Sequence, residues 1–233
     1  MAEVVQLHIE DLLAGFKCLE DETVFSSEEI QTIVRNIQNH EYKLQRSVKE
    51  KETNLKYINY LQCVLQLVQK RYDQMNVVAN EEVRHMLIKK IKTEFRKLRD
   101  KYQRDVRIWM SFINFCKRNN HKDYVGKLYH RMLQVLPDKP ELWISSAKWF
   151  LEEQNSWDLA RNAFKTGLRF NPESTDLYIE FFRFELLYIE IILKRKQMLS
   201  EGAPNEGKKS EDALYGMDWF SNVSKLNRYR IHD

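Results

Sequence analysis

The stretches WMSFINFC (residues 109–116) and WISSAKWF (143–150) decide the fold of this chain. Trp109, Phe112 and Phe115 stand at i, i+3 and i+6, and Trp143, Ser146 and Trp149 repeat the frame 34 residues later. Tyr178, Phe181 and Phe184 repeat it again, 35 residues further on. A second set runs out of phase: Tyr129 and Met132 ending at Pro137, then Phe164 and Gly167 ending at Pro172. Each proline precedes the next tryptophan or tyrosine by six residues. Such steps line one face of a helix. Two helical stripes and a closing proline at a fixed period predict helix-turn-helix units stacked into an all-α, right-handed, TPR-like solenoid. Units of this kind bury their apolar faces only by stacking, and the stack serves as a binding scaffold.

Working outward, Tyr57, Tyr60 and Cys63 occupy the same frame 52 residues before Trp109, so the first repeat carries an insertion of about 18 residues, placed at Met75–Asn80. Its second helix shows Ile88, Ile91, Phe95, Leu98 and Tyr102 in steps of three and four. Toward the N-terminus, Val5, Ile9, Leu12, Leu13 and Phe16 share a face. Ser26 with Glu29 reads as a capping box, and Phe25 with Ile30 as a hydrophobic staple. Beyond them Ile30, Ile33, Val34, Ile37, Tyr42 and Leu44 continue an apolar face. After Ser200 the composition changes to EGAPNEGKKSED (201–212), a linker pattern. Leu214, Tyr215, Trp219, Phe220, Val223 and Leu226 then fit one short amphipathic helix. The organisation read from this is an N-terminal helical region at 1–48, repeats at 49–200 (three plus one incomplete), and a flexible linker with a short tail at 201–233.

The 233 residues carry only six glycines and four prolines, in keeping with long helices. The net charge of +4 is mild, but its distribution is not. Residues 1–30 hold eight acidic side chains against Lys17, whereas residues 84–107 hold ten Lys/Arg against Glu94, Asp100 and Asp105. Opposed patches of this kind steer partners of opposite sign, although solvated helix faces give the same pattern. Cys18, Cys63 and Cys116 form no CxxC pair and read as small buried hydrophobes in a reducing compartment. Neither a signal-peptide pattern nor an apolar run long enough for a membrane span is present, so a soluble intracellular protein is expected.

The repeat residues resemble the HAT (half-a-TPR) pattern of eukaryotic RNA-processing proteins. Trp109, Trp143, Trp149, Ala160, Arg161, Phe164, Phe184 and Glu185 fit it directly, within WMSFINFC, WISSAKWF and ARNAFKTGLRFNP (160–172). It departs where Ser146 replaces an aromatic, where residue 150 is Phe rather than Glu, and where Val125-Gly126 replaces Ala-Arg. MAEVVQ (1–6), IED (9–11) and VFSSEEIQTIVRNIQNHEYKLQR (24–46) resemble the N-terminus of the U-three small-nucleolar-RNA-associated protein six family, over roughly residues 1–195. That resemblance implies a HAT-repeat subunit of the UTP-B module in the small-subunit processome. It further implies a nuclear, nucleolar location, and partners among other UTP-B proteins and, directly or indirectly, U-three small nucleolar RNA or pre-rRNA. Family members are much longer, with many further repeats.

No chemistry-bearing motif stands out. The glycines form no phosphate-cradling loop, and the six histidines form no HExxH or zinc-ligand cluster. His121, Asp123 and Cys116 form the one grouping that invites a nucleophile reading, and they fall at a polar turn. No catalytic residue, metal site, cofactor, small-molecule substrate or membrane partner is therefore expected. The candidate contact surface is the basic set Arg84, Lys89, Lys90, Lys92, Arg96, Lys97, Arg99, Lys101 and Arg104, suited to RNA phosphates or an acidic protein segment. A solvated face covering the apolar seam with its alkyl stems is the plainer reading of the same residues. The repeat-motif core is expected at Tyr57, Trp109, Phe115, Tyr129, Pro137, Trp143, Trp149, Phe164, Pro172, Tyr178 and Phe184. The expected function is a non-enzymatic scaffold in small-subunit pre-rRNA processing. The alternatives are a HAT scaffold for splicing or mRNA 3′-end formation, and more remotely an enzyme with an unrecognised site.

Overall fold

The computed structural model describes residues 2–45, 51–76 and 80–200, so the linker and tail expected at 201–233 lie outside the described residues. Among the described residues there are nine helices and no strand. They are α1 (Ala2–Asp21), α2 (Ser27–Leu44), α3 (Lys51–Met75), α4 (Glu81–Lys101), α5 (Val106–Arg118), α6 (Lys122–Val135), α7 (Pro140–Glu152), α8 (Trp157–Phe170) and α9 (Thr175–Ser200). The chain forms two compact units, Met1–Phe112 and Ile113–Asp233.

In the first unit α1 packs on α2 and α4, α2 on α3, and α3 on α4. Leu12, Phe16 and Leu19 of α1, Ile37 of α2, Tyr57, Leu61 and Tyr72 of α3, and Leu87, Ile91 and Phe95 of α4 are all buried. The α2 start follows its local chemistry. The Ser26 hydroxyl accepts from the Glu29 amide at 3.2 Å, and the Glu29 carboxylate accepts from the Ser26 amide at 3.0 Å. Phe25 and Ile30, the staple pair, are both buried. Further along α2 the face turns by one residue from the expected one: Glu41 is buried and Tyr42 half exposed, because Glu41 has a phenol and an ammonium to pair with inside the unit.

In the second unit α6 packs on α7, and α7, α8 and α9 pack on one another. Trp143 and Trp149 of α7 are buried, with Tyr129 of α6 and Phe164 of α8. The Tyr129 ring lies 5.6 Å from Trp149, and the Phe164 ring lies 5.5 Å from Phe181 and 5.4 Å from Phe184. Phe115 is likewise buried, as is Trp109 in the first unit.

From α3 onward two kinds of turn alternate, and the first kind also follows α1. After α1, α3, α5 and α7 the chain passes through a left-handed residue: Thr23, Asn76, Asn120 and Asn155, with φ of 57°, 53°, 60° and 50°. Asparagine tolerates this region better than most non-glycine residues, and one such residue ends a helix and reverses the chain. After α4, α6 and α8 the cap residues Tyr102, Leu136 and Asn171 share another conformation, φ −121° to −131° and ψ 56° to 66°. Each cap N–H bonds the carbonyl four residues back at 2.9 Å.

The six-residue spacing now has a cause. The Trp143 indole N–H donates to the Pro137 carbonyl at 3.0 Å, and the Trp109 indole donates to the Gln103 carbonyl at 2.7 Å. The Asn171 side-chain amide reaches the same Pro137 carbonyl at 2.8 Å. The prolines themselves belong to the turns rather than the core: Pro137 is half-buried and Pro172 exposed.

Two departures stand out in α9. Tyr178, expected in the core, is 49% exposed, whereas Leu177, Glu180 and Phe184 are buried. The buried position at the start of α9 is thus Leu177, 34 residues after Trp143, whereas Phe184 keeps the 35-residue step from Trp149. Further along, the position 34 to 35 residues after Asn155 holds Ile189 and Glu190, residues that do not favour the left-handed turn. With no residue to end the helix there, α9 runs on unbroken for 26 residues.

Candidate docking surface

The basic helix α4 divides its charges between two faces. Inward, Lys90 approaches the Glu41 carboxylate of α2 at 2.6 Å and Glu94 at 3.7 Å, with only 12% of its side chain exposed. Glu41 also accepts the Tyr57 hydroxyl at 2.8 Å, and Lys97 pairs with Glu94 at 2.8 Å. Burial, and then the Glu41 carboxylate beside it, pushes the Tyr57 phenol far above its ordinary pKa. Each charge in this cluster meets an opposite one, without which burial is costly. Lys90 is therefore a structural ion, not a docking residue.

Arg99 is a second correction. Its side chain is 8% exposed, lies over the Trp109 ring at 5.5 Å and donates to Asp100. The planar guanidinium lies over the indole face, and this draws it out of the solvated set. Arg104 is not helical: α4 ends at Lys101, and Arg104 stands in the turn before α5. That turn is tied to α3 by the ion pair between Asp105 and Lys51.

The outer face carries a row. Lys89, Lys92 and Arg96 follow one another at i, i+3 and i+7, with Lys89 and Arg96 exposed and Lys92 half-buried. Lys97 is exposed beside the row and leans on Glu94; Arg84 at the start of the helix pairs with Glu81 at 3.3 Å. Lys101 and Arg104 are exposed around the open depression formed by residues 100–107. Acidic side chains of the same unit lie on α1 and α2, where Glu10, Glu20, Asp21 and Glu28 are exposed. Glu22 and Glu29 are engaged, Glu22 by Tyr72 and Asn80, Glu29 by Arg71. The α4 row is a compact cationic strip on an element fixed from beneath by an apolar seam and an ion cluster.

The second unit explains both the fit and the misfit of its repeat motif. Arg161 of α8 makes a two-pronged ion pair with Glu185 of α9, at 2.7 and 2.9 Å, and lies over Tyr188 at 4.4 Å. One repeat earlier the same two positions, 24 residues apart in both copies, hold Gly126 and Phe150. The two departures from the motif are therefore the two partners of one contact, lost together.

Among the described residues no His, Cys, Asp or Glu group could hold a metal ion, and no helix is long and apolar enough to cross a membrane. All three cysteines are free; Cys116 is buried, but Cys63 is exposed, contrary to expectation. His121 stands at the N-cap of α6, and its side chain does not cap that helix.

A family model described as U3 small nucleolar RNA-associated protein 6 matches residues 9–108, nearly the whole of the first unit. The chain is 35% identical over 239 residues to the U3 small nucleolar RNA-associated protein 6 homolog of Mus musculus, an alignment covering 100% of this chain and 40% of that protein. It is 35% identical over 198 residues to the Homo sapiens homolog, covering 84% of this chain and 33% of that protein. With the Schizosaccharomyces pombe protein the identity is 26% over 218 residues, covering 93% and 44%. The chain thus spans about two fifths of the length of the curated relatives it matches. It belongs to the U3 small nucleolar RNA-associated protein 6 family.

Proposed function

We propose that this family member is a HAT-type helical scaffold without enzymatic activity. It works in the nucleolus, in small-subunit pre-rRNA processing with the U3 small nucleolar ribonucleoprotein. In this reading its neighbours are processome proteins of the UTP-B module, and it docks one of them through the α4 row. The observation that carries the docking surface is the sorting of charge on α4. Lys90 and Arg99 are largely buried, whereas Lys89 and Arg96 are exposed and Lys92 half-buried at i, i+3 and i+7 along one face of the helix. A row of three cations on one helix suits an acidic protein segment, and it steers that segment's approach. The relatives' printed names supply the association with U3 small nucleolar RNA, and the alternation of two turn types supports the repeat reading.

The test is affinity purification of the tagged chain, followed by identification of the proteins and RNAs that accompany it. Small-subunit processome proteins and U3 RNA are expected together. Recovery of splicing or mRNA 3′-end factors in their place would overturn the assignment.

A further inference from the structure

The second half of α9 carries an apolar seam that no described residue covers. Leu186, Ile189 and Leu193 are each about half exposed and stand on one face, in steps of three and four. That spacing is the seam one helix offers to another, and a contiguous exposed stripe of this kind marks a contact site. The seam exists because α9 does not turn at Ile189–Glu190: the second helix that would have folded back over the first is instead its straight continuation.

We propose that residues 214–226 of this same chain form the missing second helix, folding back antiparallel onto this half of α9. Register makes the case. With the two segments antiparallel and Ile189 opposite Val223, Leu186 falls opposite Leu226 and Leu193 opposite Trp219. The steps of three and four then coincide at all three layers, and the next candidate, Tyr215, falls opposite Gln197 at the edge of the seam. In the same register Ser200 stands level with Asp212, so the linker 201–212 need only cross between adjacent helices. Two packed helices lie about 8–10 Å apart. A flexible chain of twelve residues has an end-to-end distance of roughly 20 Å, ample for that gap. Tethering at this length keeps the segment at millimolar effective concentration, about what a single short seam needs.

The experiment uses the full chain, with hydrogen exchange followed segment by segment. Residues 214–226 should exchange about tenfold or more slowly than an unstructured peptide. Ile189→Asp should abolish that protection while α1 to α8 keep theirs, and Val223→Asp should do the same from the other side. A second readout is a disulfide between Leu186→Cys and Leu226→Cys, made in a Cys18→Ser, Cys63→Ser, Cys116→Ala background. It should form within one chain, with a yield independent of protein concentration. Unprotected residues 214–226 would overturn the proposal. So would protection and crosslinking that rise with concentration and yield a dimer, since the seam would then belong to a second copy.

Discussion

Substituting alanine for Gly167 should destabilise the second unit, although helix propensity alone points the other way. Both Gly126 in α6 and Gly167 in α8 are interior helical glycines, and replacing such a glycine by alanine gains about 1 kcal/mol of propensity. The two sites differ in what a methyl group would meet. At Gly126 the nearest atoms, on Trp149 and Gln154, are 3.5 Å away, an ordinary contact. At Gly167 a Cβ would sit 2.8 Å from Trp143 Cγ, 2.9 Å from its Cβ and 3.1 Å from its Cδ2. The indole cannot retreat easily, because its N–H holds the Pro137 carbonyl and its ring is stacked on Phe170 at 5.9 Å. Overpacking a fixed neighbour costs about 1–3 kcal/mol, which exceeds the propensity gain. A net loss of up to about 2 kcal/mol is expected for Gly167→Ala, and a gain of about 0.5–1 kcal/mol for Gly126→Ala. In a chain of this size each kcal/mol moves the midpoint by roughly 2–4 °C. Thermal unfolding of the two variants beside the parent chain would show shifts of opposite sign. If Gly167→Ala were as stable as Gly126→Ala, the close approach of α7 and α8 at Trp143 would be wrong.

Trp143→Ala should cost about 3–5 kcal/mol in chemical denaturation, the usual range for emptying a buried indole site, and wild-type stability would refute its place in the core. A double-mutant cycle on Arg161→Lys and Glu185→Gln should give a coupling of about 1 kcal/mol, and additivity would show that the two-pronged pair contributes nothing. Lys90→Ala should cost about 3–5 kcal/mol because it strands the buried Glu41, whereas Lys89→Ala should be nearly neutral. In spectrophotometric titration Tyr57 and Tyr72 should ionise late, Tyr72 being pushed up to about 12 by burial and the Glu22 carboxylate. Their folded pKa values lie above the unfolded value near 10, so their contribution is complete below about pH 10 and is lost as the pH rises beyond it. Tyrosines that all ionise together, in the folded chain, would contradict the buried Glu41–Tyr57 contact.

Much of this was legible in the residues themselves. The stripe of Trp109, Phe112 and Phe115, and its copy at Trp143 and Trp149, named the buried faces, because a helix exposes its period directly. The capping box at Ser26 and Glu29 is local chemistry and was equally readable. The inward turn of Lys90 was not, since its cause is Glu41, 49 positions away in sequence and on another helix. Arg99 was hidden likewise by its stacking on Trp109. Tyr178 misled because an aromatic side chain outweighed its neighbour Leu177, the residue that the fold buries. The uninterrupted α9 depends on a residue that is missing, the left-handed asparagine that ends α5 and α7. Its absence becomes readable only after Asn120 and Asn155 reveal what their positions do.

The most direct test of the account is triple charge reversal of Lys89, Lys92 and Arg96 to Glu in the tagged chain, followed by crosslinking to neighbouring proteins and RNA. These three are chosen because they follow one another along one face of α4, with Lys89 and Arg96 exposed. Loss of one processome protein neighbour with unchanged helicity is predicted, together with whatever RNA that neighbour carries. Selective loss of direct RNA crosslinks, with a salt dependence of about −0.7 per phosphate on a log–log scale, would assign the row to RNA instead. Retention of every protein and RNA neighbour by the reversed chain would contradict the claim that α4 is the docking face.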